Sequence, residues 1–141
     1  MTLVIQDDLL DGQLLRVLGS APYGGADIGE CIATARLVDL KNPVDSWYEQ
    51  WLALAERVLD LAAHAEDTQS ARAAYLRASN YLRAAGSILM GVPLDQRLVD
   101  SNARQADAFR RGVALLESPP EIVQIPFGDI TLPGYWFTID D

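Results

Sequence analysis

The chain has 141 residues, of which 50% are hydrophobic and 22% are charged, so it is long enough to bury one core and too apolar for a disordered tail. Its 20 acidic and 11 basic residues give a net charge of -9, which would repel a phosphate backbone and excludes nucleic acid as an expected partner. No stretch reaches the ~18 apolar residues of a membrane span, and the first residues lack a secretory signal pattern, so we expect a cytoplasmic protein without a membrane partner.

Hydrophobic residues recur at helical spacing in five segments, which predict helices over residues 7–18, 27–40, 46–64, 68–89 and 95–117. Gly19 is expected to end the first helix, and Asn42-Pro43 to end the second. Ser118-Pro119-Pro120 breaks the fifth. The sequence therefore predicts a mainly α fold up to this point.

Residues suited to N-terminal caps stand at the start of these segments. Asp27 with Glu30, and Ser46 with Glu49, have the spacing of a capping box, in which two side chains satisfy each other's backbone N–H groups. Thr68 is expected to cap the fourth helix. These caps fix where we expect the helices to begin.

The third and fourth predicted helices form an antiparallel αα-hairpin. The third has apolar residues on two sides, which predicts that it lies between layers. In the fourth, Gly86 destabilises the helix by about 1 kcal/mol relative to alanine, and this is tolerated where a neighbouring helix packs so closely that a side chain would not fit. Leu76 lies opposite the main apolar stripe of this helix, flanked by the basic residues Arg72, Arg77 and Arg83. It either makes a further buried contact or belongs to a solvated basic face.

The end of the chain changes to β-branched and aromatic runs over residues 122–127 and 130–139, separated by Gly128-Asp129, which predicts a β-hairpin. Pro126 and Pro133 indicate edges or bulges. A lone hairpin that carries the aromatic run Tyr135-Trp136-Phe137 is marginal in water. We therefore expect the helices, another chain or the rest of a sheet to cover it.

Residues that could carry chemistry are few. No Gly-x-Ser-x-Gly elbow occurs, and the single histidine, His64, is expected to lie at the end of the third helix as a complement to the helix dipole. The single cysteine, Cys31, is expected to be a buried apolar residue. Because one histidine and one cysteine cannot form a typical zinc site, we expect no metal, no cofactor and no catalytic residue in this chain.

Three separated motifs nevertheless resemble a known family in their content and order: Tyr23-Gly24-Gly25-Ala26-Asp27-Ile28-Gly29-Glu30, Ser46-Trp47-Tyr48-Glu49-Gln50-Trp51, and residues 70–85 around Arg77-Ala78-Ser79-Asn80-Tyr81. They resemble the N-terminal cap of the α/β-hydrolases related to 2,6-dihydroxypseudooxynicotine hydrolase and the fungal polyketide-shortening hydrolases. Ile125-Pro126-Phe127 and Leu132-Pro133-Gly134-Tyr135 resemble the first β-hairpin of the catalytic domain in that family. The turn Gly128-Asp129 is shorter than the acidic, glycine-containing turn of its relatives.

The resemblance implies a helical cap over residues 1–118 and a β-hairpin over residues 119–141 that would begin a catalytic domain. It implies that the cap closes over a Ser-His-Asp site, where a carbon–carbon or ester bond is hydrolysed, and helps to select the substrate. Residues that would match the triad lie beyond the sequence. The expected partner is a missing catalytic domain or a complementary chain, and a homo-oligomer such as a dimer is a further possibility.

Aromatic and arginine side chains in these motifs are the candidates for a surface that faces the substrate or the missing domain. They are Tyr23, Trp47, Tyr48, Arg77 and Tyr81. A second class of function remains open, because the αα-hairpin also resembles a tetratricopeptide-type unit of a free-standing interaction module. The β-hairpin favours the hydrolase, since a helical module has no need of it.

Overall fold

The computed structural model describes residues 3–138, so Ile139, Asp140 and Asp141 at the end of the predicted hairpin lie outside the described residues. The helices are α1 (Asp8–Leu18), α2 (Ile28–Ala35), α3 (Pro43–Ala63), α4 (Thr68–Gly86) and α5 (Gln96–Val113), and the strands are β1 (Glu121–Phe127) and β2 (Ile130–Trp136). A short 3₁₀ turn covers Ala21–Tyr23. The predicted fold class, five helices followed by an antiparallel hairpin, is confirmed.

Aspartate carboxylates cap four of the five helices by accepting a backbone N–H of the first turn: Asp7, Asp27, Asp67 and Asp95. The O···N distances are 2.8–2.9 Å. The cap of α4 is therefore Asp67, one residue before the Thr68 that the sequence predicted. Gly19 follows α1, as predicted.

The segment between α2 and α3 corrects two predictions. Helix α2 ends at Ala35 and not at Leu40, because the chain tightens into i→i+3 turns in which Leu37 N–H donates to the Thr34 carbonyl. Helix α3 begins at Pro43, where a proline fits the first turn without loss of a hydrogen bond. Asn42-Pro43 thus opens α3 instead of closing α2.

The capping box predicted at Ser46 and Glu49 is wrong, since Ser46 lies inside α3. Its hydroxyl accepts the Asp39 N–H at 2.8 Å and so closes the preceding turn. The predicted end of the fifth helix is also too late, because α5 stops at Val113 and turns follow.

The core centres on three aromatic side chains of α3 and α4. Trp47 and Trp51 have ring centroids 5.2 Å apart, and Trp51 lies 5.8 Å from Tyr81, all three with no exposed surface. The Trp47 indole N–H donates to the Ala84 carbonyl at 2.7 Å. Tyr48, Leu52 and Leu59, which belong to the second apolar side predicted for this helix, are partly buried against the same core. Leu61, at the end of the first side, is 51% exposed.

Helices α4 and α5 approach closely at two glycines. A Cβ on Gly86 would lie 3.1 Å from Leu98 Cδ1, and one on Gly112 would lie 2.9 Å from Leu76 Cδ2. Close packing therefore accounts for Gly86, as predicted. It also shows that Leu76 makes the further interhelical contact that its position opposite the main stripe suggested.

The β-hairpin pairs Glu121 with Trp136 at its open end and Phe127 with Ile130 at its turn. Gly128 supplies the positive φ of 58° that a two-residue hairpin turn requires. From this register, Pro126 and Pro133 fall at non-hydrogen-bonded pairs, where an N–H would point away from the partner strand, so neither proline interrupts the ladder. Their placement agrees with edge strands.

One face of the hairpin, here called the apolar face, carries alternate residues of both strands: Val123, Ile125, Phe127, Ile130, Leu132 and Trp136. On the opposite face, Tyr135 makes an edge-to-face contact with Phe109 of α5, with centroids 5.0 Å apart. Apart from Val123, which is half-buried, the side chains of the apolar face are between 44% and 67% exposed. The helices therefore leave this face uncovered.

Within residues 3–138, no helix combines the length and the apolar character needed to cross a bilayer.

The start of the chain is fastened by a buried carboxylate. Asp11 of α1 accepts the backbone N–H groups of Leu3, Val4 and Ile5 at 2.6, 2.9 and 3.0 Å. These hydrogen bonds, that of Ile5 first, lower the pKa of Asp11. Because the pKa is lower in the folded state, the stabilisation is present above the unfolded value of about 4 and is lost as the pH falls through the folded value.

We therefore expect Asp11→Asn to lower the melting temperature at pH 7, because the amide cannot accept three N–H donors as the carboxylate does. The difference from the wild type should shrink as the pH falls below about 4, where Asp11 of the unfolded chain is protonated, and disappear below the lowered folded-state pKa of Asp11. Thermal denaturation across this range, followed by circular dichroism, measures it. Asp8→Asn is the control, since it removes the same charge from an exposed position of the same helix. Equal pH profiles for the two variants would contradict the assignment.

Candidate functional site

The hydroxyl group of Tyr81 joins α4 to the start of α2. It accepts the Asp27 N–H at 2.8 Å and donates to Glu30 Oε2 at 2.7 Å. The capping box predicted from Asp27 and Glu30 is therefore only half formed. Asp27 caps the Glu30 N–H, whereas the Tyr81 hydroxyl takes the Asp27 N–H that Glu30 was expected to accept.

Glu30 is held from two sides by α4. Besides the Tyr81 hydroxyl, its Oε2 lies 3.5 Å from the Nε of Arg77, and both charged side chains are largely buried. Burial, together with the hydrogen bond to the Glu30 carboxylate, raises the pKa of Tyr81 well above its ordinary value. Tyr81 therefore stays a neutral donor at physiological pH and fixes the geometry of the α2 start.

Helix α4 also fixes the loop before α2. The Asn80 side-chain amide donates to the Gly25 carbonyl at 2.8 Å, and Arg83 Nε donates to Asn80 Oδ1 at 3.0 Å. Gly24 has a φ of 76°, and a Cβ on Gly25 would lie 2.9 Å from the Ser20 Cβ, so both glycines of the motif are needed for the tight turn. The backbone conformation of the loop that carries Tyr23 therefore depends on these glycines and on the hydrogen bond from Asn80.

A groove of about 360 Å³, here called the Tyr23 groove, lies between this loop, α4 and α5. Its lining includes Tyr23, Leu76, Asn80, Arg83, Gln105 and Phe109. Phe109 is also the residue that Tyr135 of the hairpin contacts. The groove therefore borders the point where the β-hairpin meets the helices.

The five candidate residues do not share one surface. Tyr23 is 87% exposed at the Tyr23 groove, whereas Trp47 and Tyr81 are fully buried in the core. Arg77 has its side chain largely buried against Glu30. Tyr48 lies elsewhere, with the Arg97 guanidinium 5.1 Å from its ring centroid. Tyr81 and Arg77 thus link α4 to the start of α2, Trp47 donates to α4, and of the five only Tyr23 lines the groove.

The sequence alone does not identify two residues of the Tyr23 groove, Asn80 and Phe109, as part of a site. Asn80 lies within the third motif, but its bond to Gly25 depends on the tertiary fold. Phe109 has the spacing of a core residue on α5, and nothing local indicates that it meets the hairpin. Membership of the third motif is thus the only signal in the sequence for Asn80, and Phe109 lies outside every motif.

No catalytic arrangement is found among residues 3–138. Burial raises the pKa of the Cys31 thiol to about 11, which leaves it a poor nucleophile, and its lack of exposure confirms the predicted apolar role. His64 follows α3 as its C-terminal cap, as predicted, with Nδ1 2.9 Å from the Asp60 carbonyl oxygen. No three His, Cys, Asp or Glu side chains in this part of the chain cluster as metal ligands.

Sequence comparison identifies the relatives of the chain. It is 44% identical to hydrolase LUC6 of Fusarium sp over 126 residues, which are 86% of this chain and 30% of that protein. It is 37% identical to 20-hydroxy-prefusarin hydrolase FUS2 of Gibberella moniliformis over 135 residues, 93% of this chain and 32% of the relative. It is 40% identical to alpha/beta hydrolase xenA of Xenoacremonium sinensis over 133 residues, which are 92% of this chain and 31% of the relative.

The chain corresponds to the N-terminal part of such hydrolases. No family model matches it. It spans about a third of the length of the curated relatives it matches, so the greater part of each relative has no counterpart here. The resemblance to α/β-hydrolases expected from the three motifs is confirmed.

Removing the Tyr81 hydroxyl tests the link between α4 and α2. In Tyr81→Phe the Asp27 N–H loses its acceptor and Glu30 loses a donor, so we expect a loss of about 1–3 kcal/mol in the free energy of unfolding. Urea denaturation measures it. Tyr48→Phe is the control, because no hydrogen bond involves that hydroxyl among the described residues, and its effect should stay within about 0.5 kcal/mol. Equal losses in the two variants would argue against the bridge.

Proposed function

We propose that the chain is the helical cap of a serine-type α/β-hydrolase, residues 1–118, joined to the first β-hairpin of the catalytic domain, residues 119–141. In this proposal the cap shapes substrate access to a carbon–carbon or ester hydrolase site and supplies no catalytic residue. The observation that carries it is the apolar face of the hairpin, combined with relatives about three times as long that are named hydrolases.

The apolar face needs a partner on physical grounds. Burying the exposed parts of five large apolar side chains contributes several kcal/mol at about 25 cal/mol per Å². The outer backbone groups of β1 and β2 are unpaired as well, since the sheet of the described residues has two strands. A catalytic sheet in the same polypeptide or a complementary chain would satisfy both needs.

The position of the Tyr23 groove supports the cap role. The groove adjoins Phe109, and Phe109 contacts Tyr135 of the strand that would enter the catalytic domain. A ligand in the groove would therefore lie beside the domain boundary.

A lone, buried thiol is consistent with the reducing cytoplasm as the location of the protein.

A chimaera tests the proposal. The matched region of 20-hydroxy-prefusarin hydrolase FUS2 is replaced by this chain, and hydrolysis is measured on 20-hydroxy-prefusarin and on a small activated ester. We expect a folded chimaera that hydrolyses at least the small ester, because the hairpin completes the sheet. Ile125→Ser with Phe127→Ser should abolish this activity. The matched control, Gln124→Ser with Thr131→Ser, alters the opposite face and should preserve it.

A chimaera that folds, as judged by circular dichroism, but hydrolyses neither substrate would refute the proposal. Equal activity of the two double variants would show that the apolar face is not what the catalytic domain covers.

Deletion of residues 119–141 tests the hairpin in the isolated chain. We expect the helical part to stay folded, because the core formed by the five helices does not include the hairpin. The full chain should self-associate through its apolar face, as a dimer or larger, and the truncated chain should not. Circular dichroism and sedimentation velocity provide the two measurements. A monomeric full chain whose hairpin amides resist hydrogen exchange would count against this prediction.

The purified chain alone should not hydrolyse small activated esters, because it has no nucleophile elbow and its one histidine caps an exposed helix end. Turnover is compared with that of a heat-treated sample. Turnover that a serine-directed reagent abolishes would contradict this expectation.

A further inference from the structure

A second groove, of about 280 Å³, lies between α1, α4 and α5 and is here called the Arg16 groove. Polar side chains of Gln13, Arg16 and Arg83 line one part of it, and the apolar Met90 and Leu98 line another. Arg83 belongs to both grooves, so the two are neighbours along α4.

The two arginines of this groove have no acidic partner. The chain carries 20 acidic residues, yet among residues 3–138 neither Arg16 nor Arg83 forms an ion pair. Arg97, in contrast, is paired with both Asp45 and Asp95. Both arginines line the same groove, and burial together with the nearby charge of Arg16 lowers the pKa of Arg83.

A further polar side chain of the groove is available to donate. Gln13 is only 9% exposed and lines the groove, and its side-chain amide makes no hydrogen bond within the described part of the chain. The Ser87 hydroxyl, in contrast, already donates to the Ala84 carbonyl at 2.8 Å. The Gln13 amide is therefore the neutral donor that a ligand in the groove could use.

The orientation of the Arg83 guanidinium is suited to binding an anion. Its Nε is fixed by Asn80 Oδ1, which orients the planar guanidinium while its terminal NH₂ groups make no bond to a described residue. Planar guanidinium groups match the two oxygens of a carboxylate. Met90, 76% exposed, and Leu98 offer apolar contact beside this charge.

We propose that the Arg16 groove binds an organic carboxylate, with Arg16 and Arg83 on the carboxylate oxygens, the Gln13 amide as a further donor, and the apolar body of the ligand against Met90 and Leu98. The assignment of this ligand to the substrate of a hydrolase rests on the proposed function. The binding itself does not, because every residue that forms the groove belongs to this chain.

The full chain is titrated with sodium benzoate, sodium acetate or inorganic phosphate at constant ionic strength and pH 7, and binding is followed by the ¹⁵N–¹H NMR signals of the arginine Nε–H groups. We expect a saturable shift of the Arg83 signal, with benzoate binding more tightly than acetate because the ring adds apolar contact. Arg83→Gln and Arg16→Gln should each weaken benzoate binding about tenfold, the loss expected for one charge-assisted contact.

Arg57→Gln is the matched control, since it removes the same charge from an exposed arginine without an ion pair and should leave binding unchanged within about twofold. Arg16 is itself exposed, so Arg16→Gln keeps the test valid if Arg83→Gln fails to fold. A linear, unsaturable response, or an equal loss in Arg57→Gln, would overturn the proposal, and phosphate binding more tightly than benzoate would overturn the carboxylate assignment. Such results would leave the chimaera experiment on the proposed function unaffected.

Discussion

The Tyr81 hydroxyl accepts the N–H of Asp27, the cap residue of α2, and donates to Glu30, and this one group links the start of α2 to α4. Without it, a partly buried N–H would lose its protein partner at a cost of about 1–3 kcal/mol. The same ring packs on Trp51, which packs on Trp47. All three recognisable motifs therefore meet around one tyrosine, which gives a physical reason why they occur together.

The charges of the chain divide into compensated and uncompensated groups. Arg77 and Arg97 each have carboxylate partners and act as structural links between segments. Arg83 is also partly buried but has only a neutral amide as its partner. Among the described residues, the half-buried arginines without an acidic partner, Arg72 and Arg83, both belong to α4, so the capacity to attract anions is concentrated along this helix.

Much of the helical fold was predictable because its determinants are local. Apolar spacing located the five helices, and Asp27 was recognised as a cap. Two of the errors arose where a residue outside the local pattern competed with it. Ser46 has the spacing of a cap but bonds to Asp39, and Glu30 has the spacing of a reciprocal partner but is taken by Tyr81 and Arg77.

The site was less predictable than the fold for the same reason. Tyr23 is exposed, whereas Trp47 and Tyr81 are buried where α3 and α4 meet. The sequence shows that all three are aromatic, but not which of them the tertiary fold will bury. The Arg16 groove joins residues from three helices, and no spacing within the sequence relates Gln13 or Arg16 to Arg83.

The two glycine contacts between α4 and α5 set the surface on which the hairpin rests. Gly86 lies against Leu98 and Ser101 near the start of α5, and Gly112 lies against Leu76 near its end, so α5 packs closely on α4 at both points. Phe109, whose ring contacts Tyr135 of the hairpin, lies between these two points. The place at which β2 meets the helices therefore depends on two positions where a larger residue would push α5 away from α4.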